Sequence, residues 1–328
     1  MIGFKTWRRL AFVVMAFALI IAACGGDDTT TTTTTAGDSG GTTTSAAASG
    51  DSSSMMIADN VDLSGVSVTV GSKDFTEQLV LGELMVEAFK AAGADVTDKT
   101  NTGGTAVARE ALLNGDIDVY MEYNGTGWTL HLGQENPSTD PSTLTSDVRA
   151  MDMQENNIHW LGQSPFNDTY GFATGPDMTG ANGGPFDMQG MADYLAANPD
   201  ATVCMESEFP SRPDGLILFE DATGYTVPDS QTNILDTNVI YNETANGNCD
   251  FGEIFTTDGR IPFLELSIVQ DPGIMILYNV SLTMRDETYQ QAPDQWDKMA
   301  DMLLEGLDNA TMAELNKRVS VDGEDPGA

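Results

Sequence analysis

Positive charge is what this sequence has least of. Fourteen lysines and arginines stand against fifty aspartates and glutamates, a formal net charge of −36 over 328 residues. Such a field repels a phosphate backbone, so no nucleic acid is expected as a partner. Histidine occurs only twice and cysteine three times, and there is no H-E-x-x-H, G-x-S-x-G or C-x-x-C. A zinc hydrolase, a nucleophile-elbow hydrolase and a dithiol oxidoreductase each lack their usual machinery, and neither metal nor cofactor is expected. With fifty acids, carboxylate pairs such as Asp116 with Asp118 or Glu206 with Glu208 arise by chance and read as solvated loops. An extracytoplasmic hydrolase is therefore the weakest reading. Long apolar runs are scarce too. The stretch from Leu10 to Ala23 is too short to span a bilayer comfortably.

That run follows Lys5, Arg8 and Arg9, so residues 1–23 read as an export signal, with Arg8-Arg9 as an ordinary basic flank. Ile21-Ala22-Ala23-Cys24 looks like a bacterial lipobox, in which cleavage precedes Cys24 and the new terminus is lipidated. An uncleaved anchor is the alternative. Either way the remainder lies outside the cytoplasmic membrane, held to its outer face. Residues 24–56 are rich in Thr, Ser and Gly and hold almost no side chain able to build a core, so they read as a disordered tether. A tether of that length spans on the order of 30 Å. The globular part that follows is long enough for two domains. With Cys24 assigned to lipid, Cys204 and Cys249 are expected to form a disulfide in an oxidising compartment, two buried free thiols being the alternative.

Past the tether, strand-like and helix-like segments alternate, which argues for α/β layering in two lobes joined by extended segments. "VSVTVG" reads as a strand, and Asp74 with Glu77 resembles a capping box opening a helix that Gly93 stops. A second helix is expected from Thr105 to Asn114, closed by Gly115, and "IDVYMEY" as the next strand. Strand, helix, strand suggests a parallel unit. The C-terminal region reads as two helices, the second opened by Thr311 with Glu314 in capping-box spacing.

In open parallel sheets, ligands bind beyond the carboxyl ends of the strands. Lys73 lies just past one such end, and Tyr123 with Thr126 lies just past another. Arg212 follows the strand holding Cys204, and Phe255 closes the strand holding Cys249. Two cations and two aromatics thus reach the same kind of edge. Each alone has a plain structural reading, as a rim lysine, a core tyrosine or a surface arginine. Trp128 reads as a packing residue rather than a wall of the site.

The blocks "GSKDFTEQLVLGEL", "NTGGTAVAREALLNGDIDVYMEYNGTGW", "DTYGFA", "SEFPSRPDGL", "FTTDGRI" and "LYNVSLTMR" follow one another in this order. Over residues 66 to about 320 the sequence resembles the substrate-binding proteins of ABC importers for glycine betaine, choline and related quaternary amines. The resemblance implies a two-lobed fold like the type II periplasmic binding proteins, with two hinge crossovers. Residues 57–167 and 277–328 would form lobe I, and 168–276 lobe II. It also implies an osmoprotectant ligand between the lobes, an ABC permease with its ATPase as partners, and no catalysis. Position by position, the aromatic box would be Tyr123, Tyr170, Phe255 and Tyr278. Lys73, Thr126 and Arg212 would face a ligand carboxylate, and the backbone carbonyl near Asp168 would touch the ammonium methyls. Phe255 departs from the usual tyrosine.

These residue types suit the chemistry on their own terms. A trimethylammonium group has no N–H to donate, whereas aromatic faces attract it and exclude water, each contributing about 0.5–2 kcal/mol. A betaine also carries a carboxylate, which this acidic chain repels unless local cations oppose the field. A binding protein for another small solute, such as an amino acid, would instead need a carboxylate facing a primary ammonium. One outcome is testable without any structure. Cys24→Ala should leave the protein unlipidated and unprocessed, and mass spectrometry finding an unmodified Cys24 in the wild type would refute the anchor.

Overall fold

The β-branched run SVTVG forms β1 (Ser67–Gly71), the first strand of the computed structural model, which describes residues 56–328. The export signal, Cys24 and nearly all of the tether lie outside the described residues. After β1 come α1 (Thr76–Ala91), β2 (Asp95–Lys99), α2 (Thr105–Asn114) and β3 (Val119–Tyr123). Then follow α3 (Pro141–Asn156), β4 (Ile158–Leu161), β5 (Tyr170–Thr174), α4 (Pro176–Asn182), α5 (Met188–Ala197) and β6 (Val203–Met205). The chain continues through α6 (Leu216–Thr223), β7 (Thr232–Ile234), α7 (Thr237–Ala245), β8 (Phe251–Phe255) and β9 (Ser267–Ile268). It ends with β10 (Val280–Arg285), α8 (Pro293–Leu304) and α9 (Asn309–Ser320).

The strands make two five-stranded sheets, ordered β2-β1-β3-β10-β4 and β7-β6-β8-β5-β9. The two orders are the same pattern. In each, the strand that has just crossed from the other sheet inserts antiparallel between the third and fourth strands of its new sheet, β10 beside β3 and β5 beside β8. The remaining pairings around β1 and β6 are parallel. The architecture is thus α/β, two-lobed, with two crossovers, one between β4 and β5 and the other between β9 and β10. The crossovers run side by side. Asp168 N donates to Tyr278 O (3.1 Å), Tyr278 N donates to Asn167 Oδ1 (2.6 Å) and Thr169 Oγ1 donates to Ile276 O (2.7 Å).

Helices cover both faces of the first sheet. α1 and α8 meet through Phe89 and Trp296, edge to face with centroids 5.1 Å apart, while Ala108, Leu112, Leu144, Val148 and Trp160 fill the opposite side. Trp128 packs against that second cluster, and its Nε1 donates to Glu135 O. Gly115 closes α2 at φ 77°, a left-handed position that glycine tolerates. Both capping boxes expected from the sequence are absent. α1 starts after Phe75 with no side-chain cap, because the Glu77 carboxylate is drawn inward to Tyr123 and Thr257. α9 is capped by Asp308, whose Oδ1 accepts from Thr311 N at 2.8 Å, so Thr311 sits three residues inside the cap instead of forming it.

A disulfide joins Cys204 on β6 to Cys249, just before β8, with Cα atoms 5.8 Å apart. It closes a separation of 45 residues, and loop-closure entropy over that length is about 4 kcal/mol at 25 °C. Replacing both cysteines by serine should therefore lower unfolding stability by a few kcal/mol in denaturant titrations run without reductant. A loss below about 1 kcal/mol would show that the bridge contributes little.

Candidate functional site

Parallel strands end, and the inserted antiparallel strands begin, on one edge of each sheet. That edge carries the site. Lys73 follows β1, Tyr123 ends β3 and Thr126 lies in the turn behind it, while Tyr278 lies two residues before β10. On the second sheet Phe255 ends β8 and pairs in register with Tyr170, the first residue of β5. Gly125 lets the turn after β3 press against the second crossover, since a Cβ there would collide with Leu277 O.

The rings close a circuit. Phe75 stacks on Phe255 at 5.0 Å, and Phe255 meets Tyr170 at 5.1 Å. Tyr170 meets Tyr278 edge-on at 5.3 Å, Tyr278 meets Tyr123 at 6.3 Å, and Tyr123 returns to Phe75 at 6.3 Å. A cavity of about 30 Å³ lies among them, lined also by Lys73, Thr105, Thr126 and Asp168. It has room for about two waters, so the rings must spread to admit a larger group. An outer cleft of about 210 Å³ shares Lys73, Phe75, Thr105, Tyr170 and Phe255 with it and adds Glu206 and Glu208 at its walls.

Both cations are buried and already paired. Lys73 Nζ lies 2.7 Å from Glu122 Oε1, with the two side chains 4% and 0% exposed, and 5.1 Å from the Tyr123 ring centroid. Burial disfavours the charge on Glu122, yet Lys73 and His131 together hold its carboxyl well below the usual carboxylate range. Burial pushes His131 itself down, so the neutral imidazole donates from Nε2 to Glu122 Oε2 at 2.9 Å. Arg212 is held bidentately by Asp214, Nε to Oδ1 at 2.9 Å and Nη2 to Oδ2 at 2.8 Å. The same guanidinium lies 5.4 Å from the Tyr170 centroid and donates to the Thr105 and Thr126 hydroxyls across the cleft. Asp214 also accepts from Tyr278 Oη (2.8 Å), and Thr129 Oγ1 lies 3.0 Å from it with its one hydrogen shared with Gly125 O at 2.9 Å, so Asp214 fixes a cage ring and an arginine at once.

Of the eight positions nominated from sequence, seven line the inner cavity, and Arg212 stands behind Tyr170. Asp168 lines it with its carboxyl turned to Thr257. Phe75 and Thr105 were missed, although both lie inside the two long blocks quoted for the resemblance. The signal for Phe75 was its place two residues past Lys73 on the same strand-end loop. Glu122, Asp214 and Glu77 were missed as well. Glu122 could have been noticed as a carboxylate inside VYMEY, a strand buried along its whole length.

The family described as "Substrate binding domain of ABC-type glycine betaine transport system" matches residues 66–328. The chain belongs to this family. It is 29% identical over 267 residues to a glycine-betaine-binding protein of Pseudomonas aeruginosa, covering 79% of this chain and 84% of that one. It is 28% identical over 283 residues to the glycine betaine-binding protein YehZ of Escherichia coli, covering 83% and 91%. The solved structure of apo YehZ superposes with a TM-score of 0.56 at 26% identity, over 80% of this chain and 95% of that one. A glycine betaine/carnitine/choline ABC transporter structure shares the fold with a TM-score of 0.63 at 20% identity, over 79% and 94%. The type II binding-protein fold implied by the sequence resemblance is the fold observed.

Removing one partner of a buried ion pair costs about 3–5 kcal/mol, whereas replacing both by neutral groups costs far less. Lys73→Ala should lower unfolding stability by that amount above about pH 8, where His131 stays neutral. The double variant Lys73→Met with Glu122→Gln should recover most of the loss. Equal losses in the single and double variants would mean that the pair is not what holds this corner.

Proposed function

We propose that this chain is the extracytoplasmic capture component of an ABC importer, binding glycine betaine or a related quaternary amine between its lobes and delivering it to a permease. The observation that carries this reading is the closed circuit of five aromatic rings drawn from both lobes and both crossovers. Its members are Phe75 and Tyr123 from the first sheet edge, Phe255 from the second, and Tyr170 and Tyr278 where the crossovers end. Faces from several rings supply the cation–π attraction that a trimethylammonium needs, and only closure of the lobes brings them together. Attachment through a lipidated Cys24 and a tether of about thirty residues belongs to the same proposal. So does lobe I as 57–167 with 277–328 and lobe II as 168–276.

The other end of a betaine would be met by the Thr105 and Thr126 hydroxyls and the outward Nη1 of Arg212. Lys73 is paired with one carboxylate and Arg212 with two, Asp214 at 2.8 Å and Glu208 at 3.4 Å, so they offer directed donors more than net positive charge. That pairing favours a second reading, in which the ligand is a choline-like cation with no carboxylate at all.

Calorimetry of the tether-free domain with glycine betaine, proline betaine, choline, carnitine and a neutral control tests both. Tyr170→Ala and Phe75→Ala should weaken every bound amine, by about tenfold or more per lost ring. Thr105→Val and Thr126→Val should weaken betaines several-fold and leave choline unchanged if the carboxylate sits there. Phe255→Tyr should be mild, because it keeps the ring in place. Choline binding more tightly than every betaine, with both threonine variants silent, would select the second reading. No heat from any quaternary amine would sink both.

A further inference from the structure

Beside the cage lies a buried carboxyl pair, Glu77 with Asp168, that forms no ion pair among the described residues. Glu77 projects from α1 of the first lobe and Asp168 from the first crossover, each 3% exposed. Between them stands Thr257 of the second lobe, on the loop after β8. Its Oγ1 is 2.6 Å from Glu77 Oε2 and 2.6 Å from Asp168 Oδ1. A threonine hydroxyl has one hydrogen, so it can donate to only one of these oxygens. The other contact, at a distance typical of a strong hydrogen bond, needs a proton that a carboxyl supplies. The remaining partners are accounted for. Tyr123 Oη donates to Glu77 Oε1 (2.9 Å), Asn316 Nδ2 donates to Glu77 Oε2 (2.9 Å), and Thr257 N donates to Asp168 Oδ1 (3.2 Å).

We propose that Glu77 and Asp168 share one proton and, through Thr257, clasp the two lobes, so that closing the clamp takes up a proton.

The surroundings fit this. β3 contributes the Tyr123 phenol and α7 the Tyr241 phenol, both pushed up by burial. The loop after β8 contributes Asp258, which is held by Arg260 at 2.6 Å across an adjoining crevice. α9 offers the neutral Asn316, and Lys73, on the far wall, is held by Glu122. Among the described residues no cation forms an ion pair with either carboxyl. Burial first, and for Asp168 also the neighbouring Glu77, push both carboxyls up. Opening the lobes removes Thr257 and wets the pair, returning both groups towards the usual carboxylate range. The closed form therefore binds more protons than the open form. Closure is favoured at the acidic end and weakens as pH rises through the raised value. The proton count rests on hydrogen-bond geometry alone, whereas its coupling to capture rests on the binding function proposed above.

Two measurements on ligand-free full-length protein test the clasp. Infrared spectra at neutral pH should contain a buried protonated-carboxyl stretch that is lost in both Glu77→Gln and Asp168→Asn. It should survive in Glu253→Gln, which removes another buried carboxyl that burial and Glu206 push up. Solution scattering should show the radius of gyration increasing as pH rises above the usual carboxylate range, with that response lost in Glu77→Gln, whose amide supplies a permanent donor. If neither substitution removes a stretch, or if the wild-type radius ignores pH, the proposal fails. A third arm follows glycine betaine and choline by calorimetry at the alkaline end, where the ligand-free lobes are open, in buffers of different ionisation enthalpy. Uptake approaching one proton per ligand is expected. Absence of heat with both amines would count against the proposed ligand, while the infrared result would still decide the proton.

Discussion

The cleft depends on matching charges that have left water. A carboxylate or ammonium buried alone is costly by several kcal/mol, and the only compensation inside a protein is a partner at contact distance or a change of protonation state. In a chain with fifty acids and fourteen cations, a buried cation is scarce and its placement consequential. Lys73 stands against Glu122, and Arg212 against Asp214. Each pair also orders an aromatic ring. Glu122 Oε1 accepts the backbone N–H of Tyr123, and Asp214 accepts the hydroxyl of Tyr278. The ion pairs thus set where the rings can be, and the rings in turn exclude the water that would weaken the pairs.

Topology brings these groups within reach of one another. Because the strand entering from each crossover runs antiparallel to its neighbours, its first residue lies at the edge where the parallel strands end. Tyr170 is set opposite Phe255 by register, and Tyr278 lands beside Tyr123. The side-by-side crossovers then make the two edges face each other with few degrees of freedom beyond hinging. Arg212 reaching the Thr105 and Thr126 hydroxyls, and Thr257 reaching Glu77, are contacts between lobes of this kind.

The fold was legible where local patterns carried it. The β-branched alternation of SVTVG, the glycine after Asn114 and the apolar spacing of α1 are properties of neighbouring residues, and they gave the alternation of strand and helix. The aromatic positions were legible because each sits at a strand end, a place a sequence can mark. What neighbours could not report was partnership. Asp74 and Glu77 have the spacing of a capping box, but Glu77 finds a hydroxyl 180 residues away and turns inward. Asp308 outcompetes Thr311 for the N-terminus of α9 because it lies at the position whose backbone is extended. Lys73 looked like a free cation since Glu122, its counterion, is 49 positions along the chain.

The same constraint separates the three carboxylate clusters by what neutralises them. Glu122 is balanced by lysine and Asp214 by arginine, so each pair adds no net charge to the cage. Glu77 and Asp168 have only a proton between them, and a pair that binds one proton keeps one negative charge. That charge is spread over oxygens held by Tyr123 and Thr257, directly behind the cage wall. With Lys73 and Arg212 both balanced, and Glu208 a second carboxylate on Arg212, the charged groups around the rings sum to a negative charge, which attracts an ammonium and opposes a free carboxylate. In the proposed complex a zwitterion places its carboxylate beside the Thr105 and Thr126 hydroxyls, next to an Arg212 already shared by Asp214 and Glu208. In the proposed complex the cage would thus distinguish the two ends of a ligand by where protons and counterions sit, and the rings need only to surround the ammonium end.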